Sequence, residues 1–274
     1  VTMKKQSTFS LSIMSGKGGV GKTNLTLNLA YALYENYKSA ILMDCDLGLA
    51  NLDVLLGISP EKNMQDPLQD EAEAGEIVCS LEKNGLDLLP AASGVPELVE
   101  LDEDLQGVLL EKLNKLFSKY EFLFLDLGAG INNAVLSFAR MTHERIVVIT
   151  PEPTSLTDSY ALIKVLNSKY GLNHFYVLVN MVDSDREAKI GYERMKVACE
   201  KFLGVTCYFL GAVHNDPNLP LAVRDQKPFV KNYPDSPASR DIRVIADRIL
   251  SLRGAKAEAI AQNPVLSWGN DNIY

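Results

Sequence analysis

Cysteine is scarce and scattered: Cys45, Cys79, Cys199 and Cys207 are the only four in 274 residues, with no Cys-x-x-Cys pair. That spacing offers neither a disulfide framework nor a zinc site, and it reads as buried free thiols. No apolar run approaches the ~20 residues that cross a bilayer. The first residues, Val1-Thr2-Met3-Lys4-Lys5-Gln6, lack the apolar core of a secretion leader, because the next apolar segment enters a glycine-rich loop directly. The expected compartment is the cytoplasm. Positive charge is in deficit, with 27 Lys and Arg against 35 Asp and Glu and a net charge of −8. Such a surface disfavours direct binding to DNA, and membrane contact would need a local basic patch. Internal repeats are absent.

What the chain does have is 47% hydrophobic residues in short aliphatic runs that alternate with helical-period segments. Strands are expected at 9–14, 40–44, 86–90, 122–126, 145–150, 175–180 and 206–210. Helices are expected at 22–36, 103–119, 132–141, 156–170, 185–203 and 237–252. The strands are unbroken rather than alternating, as when both faces are buried. The fold class is α/β, a mostly parallel twisted sheet of about seven or eight strands with helices on both faces. The acidic stretch 61–82 shows no clear strand and reads as a surface excursion. One domain over 1–253 is expected, with 254–274 as a tail that is disordered, folded back or a docking peptide. The helix at 237–252 mixes Ile242, Ile245 and Ile249 with arginines, and packing against the core is the expected role over lying on a membrane.

Function is concentrated in Gly16-Lys17-Gly18-Gly19-Val20-Gly21-Lys22-Thr23, which fits the phosphate-binding loop pattern of Gly, four residues, then Gly-Lys-Thr. Glycines let successive N–H groups turn inward, and the following helix aims its positive end at the phosphates. Lys22 would reach the β/γ-phosphates and the Thr23 hydroxyl would ligate Mg²⁺. Asn24 completes the candidate nucleotide-binding run, and a single P-loop NTPase domain is the expectation. Lys17 is a surplus cation inside the glycine run.

Two more constellations belong beside the loop. Asp44 and Asp46 flank Cys45 at the end of a parallel strand, both on one side of it. One carboxylate would help hold hydrated Mg²⁺ and the other would orient the attacking water; capping of a turn is the alternative. Asp126 ends the apolar run Phe122-Leu123-Phe124-Leu125, the Walker B form that carries a carboxylate to the metal shell. Asn180 ends a strand and suits either an adenine edge or a turn cap. Asp216 lies in the turn His214-Asn215-Asp216-Pro217, which would wall off the base, with His214 a loop residue rather than a catalytic base.

The loop resembles the deviant Walker A loop of the MinD/ParA family of P-loop ATPases, and the resemblance extends over 9–252. The segments 44–57, 128–131 and 150–164 resemble its flagellar-number regulator branch, the FlhG/FleN group. The resemblance implies an Mg-ATP-dependent switch that dimerises on ATP and hydrolyses it slowly to ADP. Lys17 then matches the signature lysine that reaches across the dimer to the partner's nucleotide. Asp46 positions water, Asp126 supports the metal and Asn180 reads adenine. The implied partners are a second copy of the chain and flagellar assembly proteins or a flagellar transcription regulator, with peripheral attachment at the inner membrane as an added option. Septum-site placement or partition is the alternative client. A nucleotide-locked module without turnover and an iron–sulfur protein are the readings from other classes; the latter needs cysteines near 128–133, and none is there. Three departures stand out: Leu127 replaces the family's Ser or Thr, the segment before Phe9 is short, and the carboxyl end is no obvious membrane anchor.

Overall fold

The computed structural model describes residues 7–46, 52–58, 78–90 and 103–268. Eight strands form one sheet in the order β3-β4-β2-β5-β1-β6-β7-β8. They are β1 (Phe9–Ser15), β2 (Ala40–Cys45), β3 (Cys79–Glu82), β4 (Leu86–Leu89), β5 (Phe122–Ala129), β6 (Glu144–Ile149), β7 (His174–Val182) and β8 (Thr206–His214). Every pairing is parallel except β3 with β4. The helices are α1 (Lys22–Glu35), α2 (Leu52–Leu56), α3 (Glu103–Phe117), α4 (Asn133–Met141), α5 (Pro153–Tyr170), α6 (Asp185–Leu203), α7 (Leu219–Arg224), α8 (Phe229–Asn232), α9 (Pro237–Ala255) and α10 (Ala257–Gln262).

Side chains alternate across each strand and so divide the core in two. Leu123, Leu125, Val147 and Val177 pack with α3, α4, α5 and α6. Phe122, Phe124, Val148 and Leu178 pack with α1, α8 and α9. Burial on both faces is why these strands read as continuous apolar runs. Helix α9 buries Ile242, Ile245 and Ile249 in the second core, and its arginines ride outside that stripe.

The acidic stretch departs from expectation at its end. Cys79–Glu82 is an edge strand, antiparallel to β4, whereas 61–77 lies outside the described residues. The turn between them places Asn84 at φ 72° and Gly85 at φ 110°. An Asn-Gly pair between two short runs is the local hairpin signal that marks this strand. Strand β8 also runs past 210 to His214, with its register slipping around Leu210. Gly211 breaks nothing there; a Cβ would stand 2.5 Å from Ile245 Cγ1, so the missing side chain admits α9.

The segment after residue 253 folds back. Gly254 lies within α9, α10 follows, and Val265 and Leu266 are buried in the first core.

Candidate nucleotide site

Strand β1 delivers the chain into the glycine loop, which returns as α1. Gly19 and Gly21 turn at φ 76° and 88°, in the left-handed region that L-residues avoid. Gly21 caps α1 without a side-chain bond, so the first-turn N–H groups remain for an anion. Two neighbours clamp the loop. Gly16 lies on α5, where a Cβ would come within 2.1 Å of the Asp158 carbonyl carbon, and its N–H donates to Ser159 Oγ at 3.2 Å. From β7, Asn180 Nδ2 donates to Val20 O at 2.8 Å.

Lys22 and Asp126 meet beneath this loop. Lys22 is buried, and burial lowers its pKa against the charges of Asp126 and Asp46. Asp126 is 1% exposed. Its Oδ1 accepts from Thr26 Oγ1 at 3.1 Å, whereas its buried Oδ2 has no hydrogen-bond partner. Burial, and then the charge of Asp44, pushes the carboxyl up to about 7, against Thr23, Lys22 and Thr26. Asp44 stands opposite Asp126 in the sheet and accepts Asp46 N–H at 3.0 Å and Leu52 N–H at 3.1 Å. Asp44 therefore holds the backbone at both Asp46 and Leu52. Asp46 leans over Gly128, where a Cβ would be 3.3 Å from its Oδ1. Cys45 points the other way, into the first core.

Leu127 joins Cys45 in that core, on the sheet face opposite Asp126. A hydroxyl at 127 would therefore enter the core rather than the site.

Lys17 does not reach into its own loop. Its Nζ bonds Glu152 Oε2 at 2.5 Å and Thr154 Oγ1 at 2.9 Å, at the start of α5. Nothing in the local motif announces Glu152 or Thr154, which lie about 135 residues away in the chain. Farther round, the buried Asp216 accepts Asn218 N–H at 3.0 Å and Ala238 N–H at 3.5 Å, tying its turn to α9. Asn24 accepts from Asn28 Nδ2 at 2.8 Å along α1. His214 Nδ1 pairs with Asp241 at 2.8 Å, at the end of β8.

A parallel sheet, a glycine loop at the end of β1 and a buried aspartate on the neighbouring strand define a P-loop NTPase. A family model described as ParA, NUBPL iron-transfer P-loop NTPase, matches residues 7–250, and the chain belongs to the ParA family of P-loop NTPases. It is 36% identical over 239 residues to the antiactivator FleN of Pseudomonas aeruginosa, covering 87% of this chain and 85% of that protein. It is 37% identical over 256 residues to the flagellum site-determining protein YlxH of Helicobacter pylori, covering 90% and 83%. Its fold is similar to that of the septum site-determining protein MinD complexed with Mg-ADP from Pyrococcus horikoshii. The TM-score is 0.72 and the identity 28%, over 91% of this chain and 98% of that one.

Proposed function

We propose that this chain is an ATP-driven switch in which two copies close on two nucleotides and slow hydrolysis reopens them, and that its output is the number or placement of flagella. The observation that carries this reading is the division of labour between the two loop lysines. Lys22 is buried beside Asp126, while Lys17 is partly exposed and turned away onto Glu152 and Thr154. A lysine that adds nothing to its own cradle is available to a second copy's phosphates.

The residues fit magnesium and nucleotide. The buried Asp126 Oδ2 without a partner, close to Thr23, is the donor set a hydrated divalent cation takes. Magnesium, when bound, would neutralise charge on the β- and γ-phosphates. Lys22 and the N–H groups of 16–23 would hold the phosphates. Asp46, steered by Asp44, would orient water. Asn180 and the turn at Asp216 would border the base. Iron transfer would need thiolates at this mouth; Cys45, Cys199 and Cys207 are buried, and Cys79 sits on the edge strand β3.

The flagellar output is supported by the name of the YlxH relative, a flagellum site-determining protein, and the antiactivator name of the FleN relative suits a transcription regulator as client; flagellar assembly proteins or a flagellar transcription regulator are the expected partners. Septum placement is the second reading, favoured by the fold shared with MinD. Flagellar counts in a deletion strain separate them: altered counts with normal septa support the first, and misplaced septa with normal counts overturn it. For the site, Lys22→Ala should lose ATP binding, whereas Lys17→Ala should bind ATP and stay monomeric by light scattering. ATP affinity retained without Lys22 would remove the phosphate-loop assignment.

A further inference from the structure

Helix α2 is only five residues long, so its place depends on what holds its two ends. At the amino end, Asp44 Oδ2 accepts the Leu52 N–H at 3.1 Å, and Oδ1 of the same carboxylate accepts the Asp46 N–H at 3.0 Å. At the carboxyl end, Val54 O accepts the Gly57 N–H at 3.2 Å and, from 172 residues away in the chain, Gln226 Nε2 at 2.9 Å. Gly57 makes room for that side chain. It turns at φ 63°, and a Cβ there would stand 2.6 Å from Gln226 Oε1.

Gln226 stands just past α7 at φ 53°, a conformation in which glycine is the unstrained residue. Its N–H donates to Val223 O at 3.1 Å, and the Lys227 N–H donates to Ala222 O at 3.1 Å, so the turn is fixed. Four residues on, the Val230 N–H donates to Asn28 Oδ1 at 2.9 Å, which ties the same segment to α1 behind the phosphate loop. A non-glycine residue kept at positive φ marks a side chain in use, and this one reaches α2. We propose that Gln226 is a positioning residue for ATP hydrolysis: it fixes the carboxyl end of α2, so that Leu52 stays on Asp44 and Asp46 stays over Gly128. This rests on the reading above in which Asp46 orients the attacking water, and extends it to what holds that acid in place. One carboxylate serves both amides, so a shift of α2 turns Asp44 and loosens the backbone at Asp46. Displacements on the order of 1 Å are enough to spoil the alignment of a reacting group.

The test pairs ATP hydrolysis by the full chain with hydrogen exchange at the Leu52 amide. Hydrolysis is measured at saturating ATP and Mg²⁺, at protein concentrations where the rate per chain no longer rises. Gln226→Glu keeps the side-chain length and removes the donor. Gln226→Gly removes the side chain and relieves the positive φ, which keeps the test valid if repulsion from Val54 O unfolds the first variant. Loss of one such bond should lower kcat about 3- to 10-fold in both variants, with ADP affinity by calorimetry held within about 2-fold. Exchange at Leu52 should quicken about 3- to 10-fold as well. A contact that serves the fold alone would lower stability without separating kcat from affinity. A kcat within about 2-fold of the parent in both variants overturns the proposal, as does a lower kcat with Leu52 exchange unchanged. Asp46→Ala, measured alongside, tests the reading beneath it: undiminished hydrolysis there takes water orientation away from Asp46. Hydrolysis lost in Asp46→Ala but intact in both Gln226 variants overturns only the role of Gln226.

Discussion

His143, just before β6, is 4% exposed. Its Nδ1 accepts the Ser10 N–H at 3.2 Å and faces Ser10 Oγ at 2.7 Å, with the Phe9 ring alongside. A proton on Nδ1 would set donor against donor. Burial pushes the imidazole down to about 4; Glu144 opposes that shift, and Arg145 and Lys256 add to it. Between pH 6.5 and 4 the unfolded chain therefore takes up a proton that the folded chain refuses. The stability is fully present above about pH 6.5 and falls as pH drops through that window, by up to about 3 kcal/mol. Burial would raise Glu144, but the His174 hydrogen bond and the charges of Arg145, His174 and Lys256 carry it below its usual range. Its contribution is present above pH 4.5 and is lost on further acidification. His143→Asn keeps an acceptor for Ser10 and cannot titrate. Urea unfolding of that variant should show a flatter pH dependence between 6.5 and 4.5; a slope equal to the parent's would assign the acid sensitivity elsewhere.

At the scale of elements, the segment after α9 behaves as a strap across the amino ends of the strands. Lys256 pairs with Glu144, Ser10 Oγ donates to Val265 O at 2.6 Å, and Ser267 N–H donates to Met141 O at 3.2 Å. Asn114 exchanges two bonds with Leu266, at 2.8 and 3.0 Å. Arg140 donates to Trp268 O at 2.9 Å, and its guanidinium lies 5.0 Å from the Tyr170 ring and 5.6 Å from that of Trp268. Leu266 is 1% exposed, so Leu266→Ala should cost about 3 kcal/mol in urea unfolding. ADP affinity should hold at low urea, because the strap lies at the end of the sheet away from the loop; a coupled loss of binding would show the two ends are linked. The strap was not legible in the sequence because its partners, Ser10, Asn114 and Met141, come from distant positions and its own apolar residues carry no period. The inner strands were legible because burial on both faces leaves them uniformly apolar. The phosphate loop was legible because its glycines and lysines are contiguous. Glu152, Thr154 and Thr26 were not, since only the fold brings them to Lys17 and Asp126.

For the whole molecule, the proposed meeting of two copies would turn on Lys17 and the surface around it. Val54, Ile131, Leu221 and Val223 are all at least 37% exposed and follow the carboxyl ends of β2, β5 and β8, the end of the sheet that carries the loop. Closing a second copy over that end would cover apolar surface and bring each Lys17 to the other nucleotide, but it must first free Lys17 from Glu152. That resting pair is weak. The side chains are 36% and 63% exposed, and pairs of this kind are worth roughly 0–1 kcal/mol each. Two such pairs break per closed dimer, so removing the carboxylate should favour closure by up to about 30-fold in the dimerisation constant. Glu152→Gln should therefore dimerise at lower ATP than the parent in sedimentation velocity, with ADP still leaving it monomeric. Since Gln retains hydrogen-bonding capacity toward Lys17, Glu152→Ala should shift the curve at least as far. An ATP dependence equal to the parent's in both variants would mean that Lys17 leaves Glu152 without competing for the partner's phosphates.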